Sequence, residues 1–165
     1  MKSLNGVAIN TGTLQLPTVD ETRMFVRDKM VSTIDLVNQF WSIKLDNSSR
    51  KYTNFYYNGK IYFHKRLPMG FVNSPYVAQK AMEWTFADEV FQRFLKKRGL
   101  TEDDIPYKSF RDFCLVYLDD VIIASATSST DLSFDKHRLH SICLDAVMWA
   151  LEEAGWKIGL KNVNL

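Results

Sequence analysis

Two adjacent aspartates, Asp119 and Asp120, stand in Tyr117-Leu118-Asp119-Asp120 between the apolar stretches 113–116 and 121–124. That pattern predicts two buried strands joined by a tight turn, with the turn holding two like charges at close range. Crowded carboxylates repel, and the repulsion is offset by a shared proton or a bound cation. A third carboxylate, Asp35, ends the loosely alternating strand-like stretch Val31-Ser32-Thr33-Ile34-Asp35-Leu36. Taken singly, each acid is explained as a turn former or a strand-end cap. Taken together on strand ends, they read as a metal site.

The remaining elements decide whether the three acids meet. An extended segment is expected up to Pro17, and the capping-box pattern Thr18-Val19-Asp20-Glu21 predicts a helix to about Met30, followed by a strand over 31–36. Asn58-Gly59 between residues 52–57 and 61–65 predicts a hairpin, since both residues tolerate the positive φ of a type I′ turn. Ser74-Pro75 supplies an N-cap and an N1 proline for one long helix stopped by Gly99, with Ala78, Met82, Phe86, Val90 and Phe94 near one face. Strands over 113–117 and 121–125, a Ser/Thr loop, a helix from about Phe134 to Ala154 and a closing strand over 156–160 complete the chain. Leu139, Cys143, Ala146 and Ala150 mark the inner side of that last helix, and Gly155 ends it.

The fold class is therefore α+β, a β-α-β-β-α-β sheet with an inserted hairpin. Its first two strands run parallel with the third antiparallel between them. That order brings Asp35, Asp119 and Asp120 to one sheet edge. Because neighbouring strand residues point opposite ways, one of Asp119 and Asp120 should face Asp35 more directly.

With 165 residues, 46% of them hydrophobic, the chain can bury the core of one domain. Cys114 and Cys143 fall in a predicted strand and a predicted helix, which suits a buried pair of reduced thiols in a reducing compartment. No apolar run approaches the ~18 residues of a membrane span, and the first six residues lack the apolar core of a signal peptide, so the chain reads as soluble with no membrane partner. The net charge of +2 conceals a basic block. Residues 47–82 carry Arg50, Lys51, Lys60, Lys65, Arg66 and Lys80 without an Asp or Glu, interleaved with aromatics such as Tyr52, Phe55, Tyr56, Tyr57, Tyr62 and Phe63. That mixture suits phosphates and bases, and equally a solvated hairpin with a core face. His137 and His140, one helical turn apart without a zinc pattern, read as a solvated or capping pair. Arg93, Lys96, Lys97 and Arg98 read as complements to a helix dipole.

The ordered set Leu4-Asn5, Leu16-Pro17, Ser32-Thr33-Ile34-Asp35-Leu36, Arg66-Leu67-Pro68-Met69-Gly70-Phe71, Asn73-Ser74-Pro75, Tyr117-Leu118-Asp119-Asp120 and Glu153-Ala154-Gly155 resembles the reverse transcriptases of retroviruses and LTR retrotransposons, most closely the gypsy-type elements. The resemblance covers nearly the whole chain. It implies fingers parts at about 1–30 and 47–72 and a polymerase palm at about 31–46 and 73–165. It also implies RNA- and DNA-templated DNA synthesis, in which Asp35 and Asp119 are the main ligands of two Mg²⁺ ions, Asp120 supports them and Leu36 is a further metal-site residue. Mn²⁺ is a possible substitute. An all-oxygen shell suits Mg²⁺, which keeps waters and substrate phosphates beside one or two carboxylates.

By the same resemblance Phe40 is the gate against a ribose 2′-hydroxyl, with a core phenylalanine beside Trp41 as the alternative. Met69 and Gly70 would line the dNTP pocket, although Met69 stands where retroviral members usually carry Gln. Arg50, Lys51, Lys60, Lys65, Arg66, Tyr117 and Leu118 would meet template and primer. Lys157, Lys161 and Asn162 lie near the family's lysine that protonates pyrophosphate, without a secure match. The family's upstream fingers strand, thumb and RNase H domain are expected to lie outside this chain, in a longer polyprotein found in the cytoplasm or a virus-like particle. A catalytically inactive nucleic-acid-binding module and a structural remnant remain alternatives.

Overall fold

The computed structural model describes residues 2–9, 12–101, 103–126 and 135–159. A three-stranded sheet is formed by β1 (Lys29–Asp35), β4 (Cys114–Tyr117) and β5 (Asp120–Ala126), with β5 central and antiparallel to both neighbours. One face carries Ser32 and Ile34 of β1 with Val121, Ile123 and Ser125 of β5, all buried. Helix α7 (Lys136–Glu153) covers that face, and α6 (Asp88–Arg98) packs against α7. Under them lies an aromatic cluster in which Phe91 meets Phe110 at 5.1 Å and Phe113 at 5.7 Å between ring centroids. Burying a side chain of this size contributes roughly 1.5–3 kcal/mol, so the cluster anchors the sheet to its helices.

The expected caps form where the sequence supplies them. Thr18 Oγ1 accepts the Glu21 N–H while Glu21 Oε2 accepts the Thr18 N–H, the reciprocal pair that starts α2 (Val19–Val26). The Thr18 N–H and then the Thr18 hydroxyl, both donating to Glu21 Oε2, lower the Glu21 carboxyl from its ordinary value. The helix stops before Met30 because Arg27 is already extended (φ −61°, ψ 131°), and Asp28, at φ 54°, then turns the chain into β1. Gly99, at φ 64°, ends α6 as expected.

Several elements differ from the sequence expectation. The opening segment contains α1 (Lys2–Val7), held by tertiary bonds: Asn5 donates from Nδ2 to the Gly70 carbonyl at 2.8 Å and accepts the Val72 N–H at 3.0 Å. The single long helix is two, α5 (Ser74–Thr85) and α6. The chain kinks at Phe86 and Ala87, and Asp88 and Glu89 begin a new helix at its positive end. Asn73, not Ser74, is the N-cap of α5. The Ser74 hydroxyl donates instead to the Pro68 carbonyl at 2.7 Å. Among the described residues, the closing strand is reduced to one bridge between Leu36 and Ile158. Phe134, the Ser/Thr loop before it, Leu160, Lys161 and Asn162 lie outside the described residues.

The histidine expectation is overturned for His140. This side chain is buried, with Nε2 2.8 Å from Ser32 Oγ and Nδ1 2.7 Å from Ser125 Oγ, so it ties α7 to β1 and β5. His137 is exposed at the start of α7, beside the Asp135 cap. The basic end of α6 does more than complement a dipole. Arg98 makes a bidentate pair with Asp145 of α7, both bonds 2.8 Å, and Arg93 and Lys97 lie over the Trp149 ring. Cys114 and Cys143 are free and buried, and burial pushes both thiols well up from their ordinary value. No described helix is long and apolar enough to cross a membrane.

Residues 36–73 leave the sheet through α3 (Gln39–Ser42) and α4 (Asn47–Arg50) into the hairpin of β2 (Asn54–Tyr57) and β3 (Lys60–Phe63). Asn58 at φ 46° and Gly59 at φ 75° have the positive φ values the turn requires. Both strands are exposed along their length. The base is locked by Thr53, whose Oγ1 donates to the Arg50 carbonyl and accepts the His64 N–H.

Candidate active site at the carboxylate edge

The register places Asp120 directly opposite Asp35 on β1 and opposite Tyr117 on β4. Directly opposed residues share a face, so Asp35, Asp120 and Tyr117 form a row across the three strand ends. The row lies on the face away from α7, because the alternate residues Ile34 and Val121 point into the core. Asp119 occupies the turn beside it. Asp120 is thus the direct cross-strand partner of Asp35.

The turn is unusual in its backbone. Leu118 sits at φ 54°, a left-handed conformation that is uncommon for a residue of this bulk. Two hydrogen bonds from the segment after β1 hold it. The Leu36 N–H donates to the Asp119 carbonyl at 2.9 Å, and Gln39 Nε2 donates to the Leu118 carbonyl at 2.8 Å. A second support comes from the chain's far end, where the Gly159 N–H donates to the Asp35 carbonyl at 3.2 Å. A Cβ on Gly159 would come within 3.2 Å of Val37 Cγ2, so this approach suits glycine.

Electrostatically the edge is loaded. Partial burial, then the charges of Asp119 and Asp35, raise the Asp120 carboxyl from its ordinary value. The donor set is carboxylate oxygen only, the chemistry of Mg²⁺ or Mn²⁺ sites. The Leu36 side chain is buried and apolar, so only its main-chain oxygen could add to such a shell. The side chains are neighbours without being gathered. Among the described residues, no three His, Cys, Asp or Glu side chains are close enough as they stand to hold an ion.

Phe40 is half-buried in α3, and Trp41 beside it is exposed, with its ring 6.3 Å from His64, so the pair does not form a core contact. Met69 is exposed, and Gly70 turns the chain at φ 81° where Asn5 clamps its carbonyl. In the basic block, Arg50 and Arg66 spend donors on the Leu45 and Ser42 carbonyls, and Lys80 pairs with Glu83. Lys51, Lys60 and Lys65 are exposed. Tyr117 is exposed and Leu118 half-buried. An apolar hollow of about 500 Å³, lined by Pro17, Phe25, Met82, Phe86 and Leu115, includes none of the three carboxylates.

Sequence reasoning missed Gln39 and Gly159. Nothing in the local pattern marks a hydrogen bond from a side chain to a backbone carbonyl 79 residues away.

The left-handed turn at Leu118 thus sets Asp120 opposite Asp35, with Asp119 beside them, at one edge of a sheet backed by helices. The sequence model of the reverse transcriptase (RNA-dependent DNA polymerase) family matches residues 3–162, and the chain belongs to that family. It is 29% identical over 115 residues, 70% of its length, to the putative enzymatic polyprotein of Cassava vein mosaic virus. It is 31% identical over 136 residues, 82% of its length, to the retrovirus-related Pol polyprotein from transposon gypsy of Drosophila melanogaster. The chain spans 14% and 10% of those two relatives. Among solved structures, the foamy viral protease-reverse transcriptase in complex with double-stranded DNA is similar over 99% of this chain and 24% of that one, with 26% identity and a TM-score of 0.68.

Proposed function

We propose that the carboxylate edge is the nucleotidyl-transfer site of an RNA- and DNA-templated DNA polymerase. The three-stranded sheet with its helices would be the palm, and the hairpin with its flanks part of the fingers. The observation that carries this reading is the row of Asp35 and Asp120 across paired strands with Asp119 in the adjoining turn. Asp35, Asp119 and Asp120 would hold Mg²⁺, with Mn²⁺ as a substitute. When bound, such ions stabilise charge on the attacking and leaving oxygens of phosphoryl transfer.

The protein's own part is positioning. Phe40, Met69 and Gly70 would face the dNTP, with Phe40 excluding a 2′-hydroxyl by bulk. Lys51, Lys60 and Lys65, with Arg50 and Arg66, would contact template and primer phosphates, and Tyr117 and Leu118 the primer end. Family membership and the likeness to a DNA-bound reverse transcriptase support this assignment.

The test is calorimetric titration of Mn²⁺ in the presence of dNTP and primer-template. The expected result is binding that disappears in an Asp35→Asn, Asp119→Asn double variant, with thermal stabilisation by Mn²⁺ in the unsubstituted chain alone. Equal binding by both proteins would remove the metal site, and salt-sensitive DNA binding without it would favour a non-catalytic module.

A further inference from the structure

We infer that Gln39 is a positioning residue for the aspartate turn, an inference that rests on the proposed metal-binding role of that turn. Gln39 is only 3% exposed, yet among the described residues its Oε1 has no hydrogen-bond partner. A buried acceptor left unsatisfied is destabilising, and an apolar side chain of similar length would avoid the penalty. The compensating feature is the other end of the same amide, which donates to the Leu118 carbonyl at 2.8 Å. The assignment of nitrogen to that end is forced, because a carbonyl only accepts.

The bond falls where the turn most needs it. Leu118 is held at φ 54°, a conformation a leucine leaves unless its surroundings prevent it. Fixing the Leu118 carbonyl fixes the plane of the peptide that leads into Asp119, and so the direction in which the Asp119 side chain departs. The next carbonyl, that of Asp119, is held by the Leu36 N–H at 2.9 Å and fixes the peptide leading into Asp120. Two consecutive peptides are therefore set from one segment, the first by a side chain and the second by backbone.

That segment is shaped for the task. Asn38, at φ 56° and ψ 45°, turns the chain sharply after β1 and starts α3 with Gln39 buried against the turn. Three features of the same few residues thus point one way: left-handed Asn38, half-satisfied Gln39 and left-handed Leu118. Gln39 orients the carboxylates without touching the reacting atoms.

The test uses Gln39→Met, which keeps length and apolar volume and removes both polar atoms. Stability separates positioning from ordinary packing. If Gln39 serves only the fold, its loss lowers the melting temperature. If it serves the turn, the melting temperature stays about level, because the orphan Oε1 is gone while the Leu118 carbonyl loses its donor, and Mn²⁺ affinity at the aspartate site falls about 10-fold or more, the usual loss when a residue orienting a metal ligand is removed. The Leu118 carbonyl and Asp119 amide resonances should also shift in the metal-free protein. A melting temperature that falls with Mn²⁺ affinity within twofold of the unsubstituted chain overturns the inference, as do unchanged Leu118 and Asp119 resonances. Should the unsubstituted chain bind no Mn²⁺, the proposed function fails on its own, and the resonances alone decide whether Gln39 sets the turn.

Discussion

Replacing His140 with leucine tests how the helical layer is fastened to the sheet. His140 of α7 lies 2.8 Å from Ser32 Oγ on β1 and 2.7 Å from Ser125 Oγ on β5, and all three residues are buried. A neutral imidazole donates from one nitrogen and accepts at the other, so one serine accepts and the other donates. His140→Leu keeps the site filled and strands two hydroxyls. Each orphaned buried group costs about 1–3 kcal/mol, and rotation of a hydroxyl toward a backbone carbonyl recovers part, leaving about 2–4 kcal/mol. At about 2–4 °C per kcal/mol for a chain of this size, the melting temperature should fall by about 5–15 °C. The triple variant Ser32→Ala, Ser125→Ala, His140→Leu removes both ends of each bond and should regain most of the loss.

The same residue sets a pH dependence. Burial, and then the nearby His137, lower the imidazole from its ordinary value of 6.5, so the unfolded chain takes up the proton first. Stability from His140 is complete above 6.5 and is lost as pH falls from there toward the depressed folded value. Denaturant titrations between pH 5 and 8 on the parent, single and triple variants measure both effects. A single-variant loss below about 1 kcal/mol, or a triple variant no better than the single, would refute the bridge.

Asp120→Asn should stabilise the chain at neutral pH in the absence of metal. The Asp120 carboxyl is raised from 3.8 by partial burial and by Asp119 and Asp35, so the folded chain binds that proton more tightly than the unfolded one and stability falls as pH rises from 3.8 through the raised value. Thermal melts should show the Asn variant ahead at pH 7 and level with the parent at low pH; a variant less stable at pH 7 would contradict this. Phe40→Val, in this chain grafted in place of the matching segment of a related polyprotein, should raise the ratio of ribo- to deoxynucleotide incorporation by about 10-fold or more, as space opens beside the sugar. An unchanged ratio would make Phe40 a packing residue.

How much was legible follows from the range of each interaction. The carboxylate edge was readable because apolar residues on both sides of Asp119 and Asp120 force a turn, and strand order then brings Asp35 opposite. The hairpin and the α2 cap were readable because Asn58-Gly59 and Thr18 to Glu21 act within a few residues. The break at Phe86 and Ala87 was hidden because apolar periodicity continues through it, although Asp88-Glu89 mark a new helix start. Helix α1 was hidden because its support comes from residues 65 and more positions away. The role of His140 was hidden for the same reason, since one serine partner lies 108 residues earlier. Gln39 gave no signal because its partner is a backbone carbonyl, which every residue possesses.

Single-nucleotide extension of a primer-template by this chain grafted in place of the matching segment of a related polyprotein, beside Asp119→Asn and Asp35→Asn variants, tests the central claim most directly. Orientation and charge stabilisation supply most of phosphoryl-transfer catalysis, and loss of a metal-holding carboxylate removes several kcal/mol of the latter. The account predicts Mg²⁺-dependent addition of one deoxynucleotide, reduced about a thousandfold or more by either substitution. Extension that survives both substitutions, or DNA binding without extension in the unsubstituted protein, would contradict it.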